Sequence, residues 1–98
     1  MFATLIADIQ ILVRNSAEIE GVYGFGSFFR SANPNDCDLL VIVNSKYKNG
    51  YVHKKIHQLF DRLAIKLKLP IDLVIVTSDE FSSIPLLERN NLFTIFTR

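Results

Sequence analysis

Cysteine is all but missing from this chain, and so is any surplus of charge. A single cysteine, Cys37, among 98 residues leaves no intrachain disulfide, and a reducing, cytoplasmic setting is expected. The formal net charge of +1 gives no basis for a general nucleic-acid or membrane-surface binder. A long uninterrupted apolar run is lacking as well. The opening stretch MFATLIADIQILVR has no basic leader and carries Asp8 among its apolar residues, so neither a signal peptide nor a membrane span is expected. Repeats, low-complexity tracts and linker-like segments are also missing. One domain over residues 1–98 is therefore expected, near the small end of what builds an adequate core unaided. At 49% apolar and 21% charged, the composition is that of a folded globule and not of a disordered chain.

What is present is a clear alternation of periods. Phe2, Leu5, Ile6, Ile9, Leu12 and Val13 recur at helical spacing, which predicts an amphipathic helix over 3–14 that Asn15 and Ser16 can stop. A first strand is predicted at 20–25. A second, at 36–43, is apolar on both faces beyond its acidic start, as a central buried strand would be. Between them SANPND punctuates the chain, after a short helical turn over Phe28, Phe29 and Arg30. The strongest helix is predicted at 51–67, where Val52, Ile56, Leu59, Phe60, Leu63, Ala64 and Leu67 make one apolar stripe. Pro70 breaks it before a third strand, IDLVIV, at 71–76. Thr77 and Ser78 are then candidate N-caps for a helix with Asp79 and Glu80 in its first turn, and Pro85 kinks or restarts it. LFTIFT at 92–97 closes the chain as a strand. The 27–35 connection is short enough for an antiparallel pair while the 51–67 helix is a crossover, so the fold class expected is α/β (α+β) with a small mixed sheet and helices packed on it.

The informative stretch is residues 22–43, VYGFGSFFRSANPNDCDLLVIV. Alternation along a strand puts Asp36 and Asp38 on one face and Cys37 on the other. Two carboxylates that close repel unless a cation sits between them, and hard oxygen ligands suit Mg²⁺ or Mn²⁺. Upstream, Gly24, Gly26 and Ser27 offer bare backbone and a hydroxyl at a strand-to-helix turn, which suits the close approach of a phosphate. Asp72 is a third acid, second in an otherwise apolar strand, so it is either at the strand's exposed end or bound to something. Taken singly, Asp36 is equally a turn residue after Asn-Pro-Asn and Asp72 a strand-end acid. Together with the Gly-Ser turn they suggest chemistry on a nucleoside triphosphate.

The run Gly26-Ser27, eight residues, Asp36-x-Asp38, an apolar strand, then Asp72 opening a later strand resembles the minimal nucleotidyltransferases of the DNA polymerase β superfamily. The resemblance extends over essentially the whole chain and implies the polymerase β-like fold. It implies that Gly26 and Ser27 hold the β- and γ-phosphates of the triphosphate. It further implies that Asp36 and Asp38 ligate two Mg²⁺ ions, with Asp72 on the metal that binds the attacking hydroxyl. Arg30 stands at the family's usual arginine position, to touch a phosphate or to brace the acidic strand. Phe29 and Ser31 replace a small residue and a glycine of the family pattern, which bears on how tightly the turn closes over phosphate. Stand-alone chains of this size and motif resemble the antitoxin half of two-gene pairs with a helical HEPN ribonuclease toxin. That resemblance implies transfer of AMP from ATP to a tyrosine of the toxin.

Two alternatives stand beside that expectation. The chain could transfer to RNA or a small molecule held by a separate subunit, or it could be a non-catalytic nucleotide-binding module that inhibits a partner by contact. Other motifs are expected to be plain. Lys46, Lys48, Lys54 and Lys55 with Tyr47 and Tyr51 could grip a nucleic-acid backbone, but a solvated loop and helix start is the expected role. His53 and His57 are at i, i+4 without a third ligand, as two surface histidines are. Cys37 is expected in the core behind the acids. Small size and high apolar content leave room for an oligomer or a covering partner.

Overall fold

A computed structural model describes residues 2–26, 37–47, 49–84 and 92–98, and architecture follows the two periods. Helix α1 (Phe2–Arg14) buries Leu5, Ile9 and Val13, one side chain per turn. Its last carbonyls have no partners within the helix. Arg98 partners two of them and pins the segment that follows: Nη2 donates to the carbonyls of Val13 (3.0 Å) and Arg14 (3.2 Å) and, past the helix, of Ser16 (2.8 Å), and Nε donates to that of Ile19 (2.7 Å). Strand β1 (Ile19–Phe25) follows, then β2 (Cys37–Val43). A 3-10 turn at Ser45–Tyr47 leads into α2 (Gly50–Leu67), which Asn49 caps by accepting from the Val52 N–H at 2.9 Å. At the other end Lys68 takes a left-handed conformation (φ 53°). The Lys68 N–H reaches back to the Ile65 carbonyl and the Leu69 N–H to that of Ala64, a Schellman arrangement closed by the buried Leu69.

Strand β3 (Ile71–Thr77) runs parallel to β2, as the α2 crossover requires. The short helix α3 (Ser78–Ser82) starts with a capping box: Thr77 Oγ1 accepts from the Glu80 N–H, and Glu80 Oε1 accepts from the Thr77 N–H. Strand β4 (Phe93–Thr97) lies antiparallel to β1. The sheet order is β3-β2-β1-β4, with β1 and β2 antiparallel, so the sheet is mixed as expected.

The two long helices, α1 and α2, cover one face. Cys37, Leu39, Val41 and Val43 of β2 point into the core against Ile9, Ile56, Phe60 and Leu63. Leu40 and Ile42, on the opposite face of β2, are buried too, as befits an inner strand. On that second face Phe81 of α3 stacks on Tyr23 of β1, with ring centroids 5.5 Å apart. The predicted helical turn at 28–30 and the prolines Pro34 and Pro85 lie outside the described residues. None of the described helices is long and apolar enough to cross a membrane.

Candidate active site

The site is set by register. Cys37, Leu39, Ile71 and Leu73 turn toward the helices, so Asp38 and Asp72, one residue along from Cys37 and Ile71, are turned to the other face. A slip of one residue would carry an acid into the core and a core residue out, so the apolar pattern holds the acids outward. The Cys37 N–H donates to the Pro70 carbonyl at 3.0 Å and levels the starts of the two strands. Asp38 and Asp72 are then direct partners in the parallel ladder. Neighbouring strands lie about 4.8 Å apart, so the two carboxylates stand side by side on that face. Asp38 is half-buried and Asp72 exposed, as a strand-end acid would be.

The third wall is the end of β1. Phe25 is paired with Asp38, and the next residue, Gly26, turns with φ +55°. A Cβ built on Gly26 would lie 2.6 Å from Oδ2 of Asp38, closer than such atoms come. Glycine is needed here twice over, for its left-handed backbone and for the room it leaves the carboxylate. The structure brings three of the residues singled out in the sequence, Gly26, Asp38 and Asp72, to one rim of the sheet. Ser27, Arg30 and Asp36 lie outside the described residues. Among the described residues no group of three potential metal-binding side chains occurs, and Asp38 with Asp72 form a pair of hard oxygen donors.

The other singled-out residues are elsewhere. His53 and His57 have ring centroids 4.8 Å apart on α2, with no third ligand among the described residues. Lys55 pairs with Glu18 at 2.6 Å, which ties α2 to the turn before β1. That hydrogen bond holds the Glu18 carboxyl below its ordinary value and Lys55 above its own. Lys46 lies over the Tyr47 ring at 5.2 Å. The basic stretch is therefore partly structural. A largely apolar cleft of about 320 Å³, lined by Val43, Tyr47, Val52, Ile75 and Thr77, opens at the far ends of β2 and β3. At ~3.3 Å per residue it is roughly 16 Å along the strand from Asp38, too far to share its ligand. Nothing in the sequence announced the Tyr23–Phe81 stack or the Arg98 clasp, because both join segments far apart in the chain.

The sequence matches no protein-family model and no curated protein. Solved structures do resemble it. The toxin–antitoxin complex MntA–HepT contains a chain that superposes with a TM-score of 0.60 at 18% identity, over 98% of this chain and 73% of that one. A mutant toxin–antitoxin MntA–HpeT gives 0.62 at 17% identity, over 95% and 73%. A protein of Sulfolobus solfataricus provisionally assigned as a nucleotidyltransferase gives 0.56 at 18% identity, over 100% and 81%. The chain shares the fold of these structures, a small mixed-sheet α+β fold of nucleotidyltransferase type.

Proposed function

We propose that this chain is a nucleotidyltransferase that moves AMP from ATP onto a hydroxyl, and that it serves as the antitoxin of a HEPN-type partner whose tyrosine it modifies. The observation that carries the reading is the packing of Gly26 against the Asp38 carboxylate, beside Asp72 on the neighbouring strand. It leaves two acids at one rim of the sheet with bare backbone next to them, which a phosphate-bound cation needs. The likeness to a toxin–antitoxin chain supports the choice of partner.

The donors fit a divalent cation: both are carboxylates, they are adjacent, and Asp72 is exposed. Asp38 and Asp72, with Asp36, would hold Mg²⁺. Bound Mg²⁺ supplies charge neutralisation for the triphosphate and a lowered pKa for the attacking hydroxyl. The remaining work belongs to the chain. The family resemblance gives Gly26 and Ser27 the role of receiving the β- and γ-phosphates, with Arg30 as the accompanying cation. The hydroxyl oxygen attacks the α-phosphorus, the bond to the β-phosphate oxygen breaks, and pyrophosphate leaves. The hydroxyl proton passes to a carboxylate, for which Asp72 is the accessible one. Most of the rate then comes from alignment and electrostatics.

The test combines labelled ATP, Mg²⁺, the intact chain and the protein encoded beside it. Label on a partner tyrosine, equimolar pyrophosphate and a loss of more than about 100-fold in Asp38→Ala and Asp72→Ala are expected. A partner that is inhibited but unlabelled, equally by wild type and by Asp38→Ala, would establish inhibition by contact in its place.

A further inference from the structure

The net charge of +1 conceals a strong segregation. Residues 46–68 hold seven of the eleven basic side chains and one of the ten acidic ones, a formal +6, against −5 for the rest of the chain. Most of that stretch is α2, on which Lys55, Leu59, Arg62 and Lys66 recur at i, i+4, i+7, i+11 along one edge. Lys55 is engaged by Glu18, whereas Arg62 and Lys66 form no ion pair with a described residue. Both border a groove of about 340 Å³ between α1 and α2. Leu12, Leu59 and Leu63 make its apolar floor, Ile11 stands on the α1 lip, and Asp8 lies further along that lip. Ile11 is 60% exposed.

We propose that this groove docks an acidic amphipathic helix of a partner protein, its apolar stripe laid between α1 and α2 and its carboxylates turned toward Arg62 and Lys66. Helix-in-groove recognition needs an apolar trough with polar lips, and the trough here has cations on one lip. A phosphate backbone would satisfy Arg62 and Lys66 but leave Ile11 and the leucine floor in water, so the apolar residues select a protein over a nucleic acid. Asp8 repels acid from the α1 side and so fixes which flank of the incoming helix carries the carboxylates. The groove belongs to the helix layer, on the opposite face of the sheet from Asp38 and Asp72. Docking there leaves the acidic face open, and the proposal stands independently of nucleotidyl transfer.

The experiment uses the intact chain and a labelled synthetic helix with a leucine stripe and glutamates on one flank. The same helix with lysines for glutamates and a single-stranded RNA serve as competitors, and anisotropy is the readout. The acidic helix is expected to bind about tenfold tighter than the basic one. Arg62→Glu with Lys66→Glu should invert that preference, an outcome that a misfolded variant cannot give. Ile11→Ser should weaken both helices. Binding of neither helix, equal binding of both, an unchanged preference in the charge-reversed variant, or tighter binding of the RNA would each overturn the proposal.

Discussion

At the scale of single residues the decisive contact is the one that Gly26 does not make. Gly26→Ala would press a methyl group toward Oδ2 of Asp38 and hold an L-residue at φ +55°, which costs about 1–2 kcal/mol. Calorimetry of ATP and Mg²⁺ binding should show affinity lost in Gly26→Ala while circular dichroism stays native. The acids are expected to work against stability. Like charges directly opposite on neighbouring strands destabilise a sheet, so Asp72→Asn should raise the metal-free unfolding free energy by up to about 1 kcal/mol, and with it the midpoint, while abolishing transfer. A lower midpoint in Asp72→Asn would show that the carboxylate has a structural partner. The Gly-Ser turn and the alternation around Cys37 made these residues legible in the sequence. Their direct pairing was not, because strand spacing does not say which residue of β3 faces Asp38.

Among the elements, α2 carries a misfit and a tether. Lys68 occupies a left-handed position that glycine fills at no steric cost, and its side chain is exposed. Lys68→Gly should therefore stabilise the fold by about 0.5–1 kcal/mol, measured as a rise of a few degrees in Tm. The tether is the Glu18–Lys55 pair. Lys55 donates to Glu18 and holds that carboxyl below its ordinary 4.5, so the stability it gives is complete above that value and drains away as pH falls through the lowered one. Lys55 is held above its ordinary 10.5, so its share is complete below that value and is lost as pH rises through the raised one. Between those limits the contribution is flat. It stays below about 1 kcal/mol because the Lys55 side chain is 42% exposed. Denaturant titrations of Glu18→Gln should show this small loss at pH 7 and a shallower decline in acid. Helix positions were legible because the 3.6-residue period survives in Val52, Ile56, Phe60 and Leu63, and the caps at Thr77 and Glu80 are local. Nothing periodic specifies the Arg98 clasp, which spans 79 to 85 positions of the chain.

For the whole molecule, a ligand that binds only the folded state shifts the unfolding equilibrium by mass action. ATP with Mg²⁺ at about 100 times its dissociation constant should add roughly 2.7 kcal/mol, and chelation of the metal or Asp38→Ala should remove it. A thermal scan with and without chelator decides the matter. A mixed sheet was expected from the chain, since one connection is short and the other contains a helix. The order β3-β2-β1-β4 was not, because it depends on which free edge β4 chooses once β1 and β2 have paired.

That order also places Asp72 on an outer strand, where Val74 is 46% exposed two residues further on. An outer strand with exposed apolar side chains is a template for pairing with other chains, and a charge beside it is a common deterrent. The acid proposed as a metal ligand thus doubles as a guard against aggregation. Relaxed selection on the proposed transfer would not free the position to become apolar: a chain in which Asp72 gave way to valine would lose the proposed metal ligand and the charge that deters strand pairing in one step.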